Sequence, residues 1–111
     1  LNNRCWLRAT ANRELKEALK DCDHALDLSR RDPGILDSRA LVYLRLGSPS
    51  DAVIDYDEAL DADPNISTSL YGRGLAELRL GQKAQGQKDL AAAEKLDSGI
   101  AKRFAAMGLA P

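Results

Sequence analysis

The sequence has few aromatic residues and a single histidine, and the scarcity of histidine argues against catalysis. Aromatic residues make up 5% of the 111 residues, and His24 has no His or Cys at a spacing that would hold a metal ion. No nucleophile has a base at a plausible spacing, and there is no glycine-rich phosphate loop. We therefore expect no catalytic residue, no metal and no cofactor, and we predict that the chain is not an enzyme.

An excess of one charge and a long apolar run are also missing. The 16 basic residues nearly cancel the 17 acidic ones, whereas nucleic-acid binding needs a concentrated basic face. No apolar run approaches the ~18 residues that a membrane span needs. We predict no nucleic-acid partner and no membrane insertion. The chain begins at Leu1 rather than Met, which indicates a trimmed piece of a longer protein and leaves the localisation open between cytoplasm and periplasm.

The two cysteines, Cys5 and Cys22, fall where a helical hairpin places small buried residues. We interpret them as reduced thiols of the core. A disulfide needs Cα atoms within ~7 Å of each other, a distance that sequence alone does not give, so pairing stays open.

The stretch Leu36–Gly81 contains one helix pattern twice. Seven residues recur after 34 positions: Leu36, Arg39, Leu41, Leu44, Arg45, Leu46 and Gly47 return as Leu70, Arg73, Leu75, Leu78, Arg79, Leu80 and Gly81. A repeat at this period indicates a stacked array in which each unit packs only on its neighbours.

Apolar residues at helical spacing predict three helical hairpins and a final short helix, with no strand. Asp32-Pro33 and Ser48-Pro49 read as helix starts, since Asp or Ser can cap and Pro suits the first turn. Ser98 is the predicted cap of the last helix, which we expect to cover the apolar face formed by Leu90, Ala93 and Leu96. The predicted helices span 1–11, 14–30, 33–46, 49–62, 66–80 and 83–96, and the capping helix ends at 108.

These residues resemble a tetratricopeptide repeat, a 34-residue helix–turn–helix. The second unit carries the pattern best, with Leu36, Ala40, Tyr43, Ala52, Tyr56, Ala59 and Pro64; the third departs from it at Glu77, Gly86 and Ser98. The resemblance implies an all-α, right-handed superhelix of three repeats at 1–32, 33–64 and 65–98, closed by a capping helix at 99–108. Segments such as LDSRALVYLRLG also resemble a bacterial subgroup in which the array often forms part of a larger protein.

One arginine in each unit stands 16 or 17 residues before an aspartate of the following helix. The pairs are Arg4 with Asp21, Arg39 with Asp55 and Arg73 with Asp89. A half-buried guanidinium needs a partner and its planar fork suits a carboxylate. We predict that each pair joins the two helices of its hairpin.

The resemblance also implies a concave groove along the first helix of each unit. The positions that would face a partner there are Asn2, Trp6, Asp37, Leu41, Arg45, Tyr71, Leu75 and Arg79. Exposed aromatic residues beside arginines are typical of binding hot spots. The alternative is that the leucines only pack against neighbouring helices.

The sequence therefore favours a protein–protein interaction module that binds a peptide or partner segment in the groove. The alternative is a structural scaffold or dimerisation segment that packs against another domain, without a separate ligand. An open apolar groove would favour the first, and a groove filled by the chain's own tail or a second copy would favour the other. Ser38 and Gly72 stand where the family's carboxylate clamp has Asn and Lys or Arg, so chaperone-tail binding is not expected. A homo-oligomer stays open.

Overall fold

The computed structural model describes the backbone of residues 2–111 and the side chains of residues 4–111. Within that part of the chain every regular element is an α-helix, and each lies within two residues of its predicted bounds. Leu1, included in the first predicted helix, is outside the described residues. The helices are α1 (Asn2–Thr10), α2 (Leu15–Leu28), α3 (Pro33–Arg45), α4 (Pro49–Ala62), α5 (Ser67–Arg79), α6 (Lys83–Leu96) and α7 (Ile100–Ala106).

Local chemistry accounts for some of the helix ends, although Ser48, at the start of α4, makes no side-chain cap. The Asp32 carboxylate accepts hydrogen bonds from the backbone N–H groups of Gly34 and Ile35, at 2.9 and 3.2 Å, and so caps α3. Gly47 and Gly81 follow α3 and α5 with φ of 80° and 81°, a conformation that glycine adopts without strain.

The start of α7 differs from the prediction, because Ser98 is not its cap. Gly99 holds the N-cap position, and its N–H donates to Asp97 Oδ1 at 3.1 Å. The Asp97 side chain therefore shapes the turn that reverses the chain after α6. Of the apolar face that the last helix was expected to cover, Ala93 is fully buried and Leu90 packs against the core, but Leu96 stays 50% exposed, so the expectation is wrong for Leu96.

A disulfide joins α1 to α2. Cys5 and Cys22 have Cα atoms 5.5 Å apart, and both side chains are fully buried. The interpretation of the two residues as reduced thiols is therefore wrong. Closing a loop of this length stabilises a fold by about 3 kcal/mol in the chain-entropy account. The bridge helps to dock α1, whose largest apolar side chain, Trp6, is only half-buried.

Two glycines let α5 and α6 approach closely. A Cβ atom built on Gly86 would lie 2.9 Å from the carbonyl oxygen of Gly74, and one on Gly74 would lie 2.9 Å from that of Gly86. The preceding hairpin has Ala40 and Ala52 at the equivalent places, both fully buried. Gly86 departs from the repeat pattern in the sequence, and the structure shows a contact of backbone against backbone at this position.

We predict that Gly86→Ala lowers the free energy of unfolding, although alanine favours a helix by about 1 kcal/mol. The added methyl group meets a carbonyl that cannot turn away, and overpacking of this kind costs about 1–3 kcal/mol. Urea unfolding followed by circular dichroism measures the change. The exposed Gln87→Ala on the same helix is the control. A Gly86→Ala protein as stable as the control would show that the close approach is not required.

Candidate functional site

Arg39 joins three helices. Its Nε and Nη2 donate to the two carboxylate oxygens of Asp55 on α4, at 2.7 and 2.8 Å, and its Nη1 donates to Asp23 on α2, at 3.0 Å. The predicted pair with Asp55 is confirmed. The contact with Asp23 was not predicted, and it ties the second hairpin to the first.

Arg73 repeats this arrangement one unit later. It donates to both oxygens of Asp89 on α6, at 2.8 and 3.1 Å, and to Asp57 on α4, at 3.0 Å. Burial alone would raise the pKa of Asp89, but the hydrogen bonds from Arg73 and Glu77 outweigh it and hold that pKa below its ordinary value. Arg4 makes the same bidentate contact, with Nε and Nη2 donating to the two carboxylate oxygens of Asp21 at 3.0 and 2.9 Å. All three predicted pairs are therefore present. We call Arg39, Arg73 and their aspartates the arginine ladder.

Arg45 and Arg79 each bind the C-terminal end of the first helix in the preceding repeat. Arg79 Nη1 donates to the carbonyl of Leu44 at 2.8 Å, and Arg45 Nη2 donates to the carbonyl of Thr10 at 3.1 Å. Cations at a helix C-terminus complement its unpaired carbonyls. Both arginines were predicted to face the groove, and the structure gives them a structural contact between neighbouring units.

The C-terminal segment 100–109 packs on α5 and α6 and reaches the inner face, by which we mean the predicted groove along α1, α3 and α5, at Tyr71 and Arg45. The ring of Phe104 packs on Tyr71 with centroids 4.7 Å apart. Ile100, Phe104 and Leu109 are 0, 1 and 3% exposed. The Met107 carbonyl accepts a 2.6 Å hydrogen bond from Arg45 Nη2. The segment is therefore held by apolar burial and by an arginine of α3.

The apolar side chains that were predicted to line the groove are not exposed. Leu41, Tyr71 and Leu75 are 1, 2 and 2% exposed, so the expectation that they are open to a partner is wrong for this fold. All three belong to the hydrophobic core, and the tail contacts Tyr71 through Phe104. Trp6 is half-buried and borders, with Met107 and neighbouring residues of α5 and α7, a cavity of about 300 Å³. Asn2, also predicted to contact a partner, lies outside the described side chains.

Asp37, another predicted groove residue, is a buried carboxylate that joins α3 to α5. It accepts hydrogen bonds from Ser69 Oγ at 2.6 Å and from Thr68 Oγ1 at 3.2 Å, and no Lys or Arg of the described residues pairs with it. Burial, partly offset by these hydroxyls, raises its pKa to about 6. Asp37 is thus a polar contact between repeats rather than an accessible specificity residue.

Glu77 is a second buried carboxyl group, 5% exposed, at the repeat position that Tyr43 holds in the preceding unit. Burial, then its hydrogen bond to Asp89, raises its pKa to about 8. Its Oε1 has no hydrogen-bond partner among the described residues. At neutral pH the group is therefore largely protonated and can donate to Asp89.

We predict that the protein loses stability as the pH rises from about 4 to 8. Asp37 and Glu77 have raised pKa values in the folded state, so the folded chain holds their protons more tightly than the unfolded chain does, and this stabilisation is lost as each group ionises. The shift of Asp37 corresponds to about 3 kcal/mol. Urea unfolding at several pH values measures the slope.

Asp37→Asn and Glu77→Gln should flatten that slope, because neither variant side chain ionises. The exposed Glu94→Gln is the matched control and should keep it. An unchanged slope in both test variants would contradict the assignment.

The comparisons with known proteins agree with this geometry. A family model described as a tetratricopeptide repeat matches residues 34–66, which hold α3 and α4. Residues 34–66 form a tetratricopeptide repeat. No match was found among curated proteins. This repeat is a protein–protein interaction motif, and the predicted all-α repeat fold is confirmed. The bacterial subgroup stays a prediction.

The described part of the chain offers neither a metal site nor a membrane span. No group of three or more His, Cys, Asp or Glu residues there could hold a metal ion. Among the described helices, none is long and apolar enough to cross a membrane.

Sequence reasoning missed two features of the site. The first is the contact of Asp23 and Asp57 with the next unit's arginine, although both aspartates recur at the 34-residue period. The second is the destination of the tail. Its apolar residues Ile100, Phe104 and Met107 predicted a one-sided helix, but not that this side would turn to the inner face.

Proposed function

We propose that this tetratricopeptide repeat protein is a scaffold that holds other proteins through its outer surfaces and ends, with its inner groove closed by its own C-terminal segment. The observation that supports this proposal is the burial of Ile100, Phe104 and Leu109, with Phe104 packed on Tyr71 of the predicted groove. Burying one such side chain stabilises a fold by about 1.5–3 kcal/mol.

A free peptide would therefore have to compete with a tethered occupant. A segment joined by a short linker has an effective concentration in the millimolar range. The linker here is only the turn Asp97–Gly99, and the Arg45 bond to the Met107 carbonyl adds to the apolar contacts. A weak peptide ligand would not displace such a segment.

Peptide binding in the groove is the second candidate function. The observation that favours it is the apolar cavity of about 300 Å³ beside Trp6, Phe104 and Met107, which the tail leaves unfilled. A partner segment that entered there would displace the tail and reach Tyr71, Leu75 and Arg79. In this candidate the tail occupies the site in the absence of the partner.

We predict that Phe104→Ala destabilises the whole fold by about 3 kcal/mol, the usual cost of removing a buried aromatic ring. Thermal unfolding followed by circular dichroism measures the loss. Trp6, the only tryptophan, borders the same cavity and gives a second signal by fluorescence. The exposed Lys102→Ala on the same helix is the control.

The two candidate functions predict different results for the Phe104→Ala variant and for added tail peptide. A scaffold closed by its tail loses stability in a single transition, and a synthetic peptide of residues 98–111 does not change Trp6 fluorescence below about 1 mM. If Phe104→Ala leaves the melting temperature unchanged and the peptide binds the natural chain at micromolar concentration, the tail is a displaceable ligand and the scaffold proposal is wrong.

A further inference from the structure

The arginine ladder is incomplete at α1. Arg39 and Arg73 each use Nε and Nη2 for an aspartate of their own hairpin and Nη1 for an aspartate of the hairpin before. Arg4 makes the first kind of contact with Asp21, but no carboxylate within residues 4–111 binds its Nη1. Its side chain is 58% exposed, against 25% for Arg39 and 21% for Arg73.

An apolar side chain on the same face of α1 is also uncovered. Leu7 stands three residues after Arg4 and is 56% exposed. Val42 and Ala76 stand three residues after Arg39 and Arg73, and both are fully buried. Residues three apart share one face of a helix. In α3 this face lies against the preceding hairpin, because Arg39 reaches Asp23 across it.

The surface around Leu7 is shaped to receive a neighbour. Leu7, Arg8 and Ala11 border a shallow depression of about 310 Å³ together with Arg13 and Glu14 of the following turn. Arg4, Leu7 and Ala11 form a stripe at i, i+3 and i+7, the spacing of a helix face that packs on another helix. We call this stripe the α1 edge.

We propose that the α1 edge is a docking surface for a further tetratricopeptide hairpin whose second helix carries an aspartate at the register of Asp23 and Asp57. That aspartate would accept a hydrogen bond from Nη1 of Arg4, and the apolar face of the hairpin would cover Leu7. The inference rests on the scaffold function proposed above, because it names one outer surface through which such a scaffold holds its partner.

Charge complementarity selects this occupant over a second copy of the chain. Two copies joined edge to edge about a two-fold axis would bring their Arg4 side chains together, and like charges repel. Two copies stacked head to tail would present α6 to the α1 edge. The residue 34 positions after Asp57 is Ala91, which offers no carboxylate. The ladder can therefore be extended from α1 but not from α6.

The experiment extends the full chain with a hairpin that already has this chemistry. A copy of residues 33–69 is joined directly before Leu1. Twelve residues of the copy follow its Asp57, and Arg4 is the fourth residue of the original chain after the junction. The copy's Asp57 and Arg4 are therefore 16 residues apart, as Asp57 and Arg73 are in the natural chain. Three changes are then compared: Arg4→Ala and Leu7→Ser in the original part, and Asp57→Ala in the copy alone. Lys16→Ala, on the exposed surface of α2, is the control.

Docking predicts a single unfolding transition with a melting temperature at least about 4 °C above that of the natural chain. Leu7→Ser should lower the melting temperature in the extended chain and hardly change it in the natural chain, where Leu7 is exposed. Arg4→Ala should lower it more in the extended chain than in the natural one. Asp57→Ala in the copy should remove part of the gain, and Lys16→Ala should have equal effects in both chains.

Two results would overturn the proposal. In one, the added hairpin melts in a separate transition, or the extended chain gains no stability. In the other, Arg4→Ala and Leu7→Ser shift the melting temperature equally in both chains. Either result leaves the Phe104→Ala test of the closed groove unaffected, because that test uses the natural chain alone.

Discussion

The fold depends on a half-buried guanidinium that binds two carboxylates on two different helices. Arg39 and Arg73 each fix the angle between the helices of their own hairpin and the position of the hairpin before. Removing one partner of a buried ion pair costs about 3–5 kcal/mol, because it leaves the other charge unpaired. Apolar packing holds the helices together, and these charges restrict them to one register.

Side chains that were predicted to line the groove make contacts within the protein instead. Arg45 and Arg79 bind carbonyls at the ends of preceding helices, Asp37 joins α3 to α5, and Tyr71 packs under Phe104. Residues that an open groove would offer to a ligand are here used between repeats. The scaffold proposal therefore assigns partner binding to the ends and the outer surface, and the α1 edge is the end at which the arginine ladder lacks a second aspartate.

Local features of this structure could be predicted from the sequence. The 3.6-residue periodicity gave the helices, Asp32 and Gly47 marked ends, and the constant Arg–Asp separation gave the ion pairs, since each depends on residues close in sequence or repeated at one period. The tail's position could not be predicted, because Phe104 and Tyr71 lie on helices separated by α6 and meet only when α7 folds back onto α5. The disulfide could not be predicted either, as it depends on a Cα distance across the hairpin.

The central claim is that the inner face is closed by the tail, and amide hydrogen exchange at the end of the chain tests it most directly. The N–H of Leu109 donates to the Phe104 carbonyl at 2.9 Å, and that of Gly108 donates to Ala105 at 2.9 Å. If the tail is part of the core, these amides exchange as slowly as those of α5, because both are released only by global unfolding. If they exchange at the rate of an unstructured peptide while α5 stays protected, the groove is open and the account is wrong.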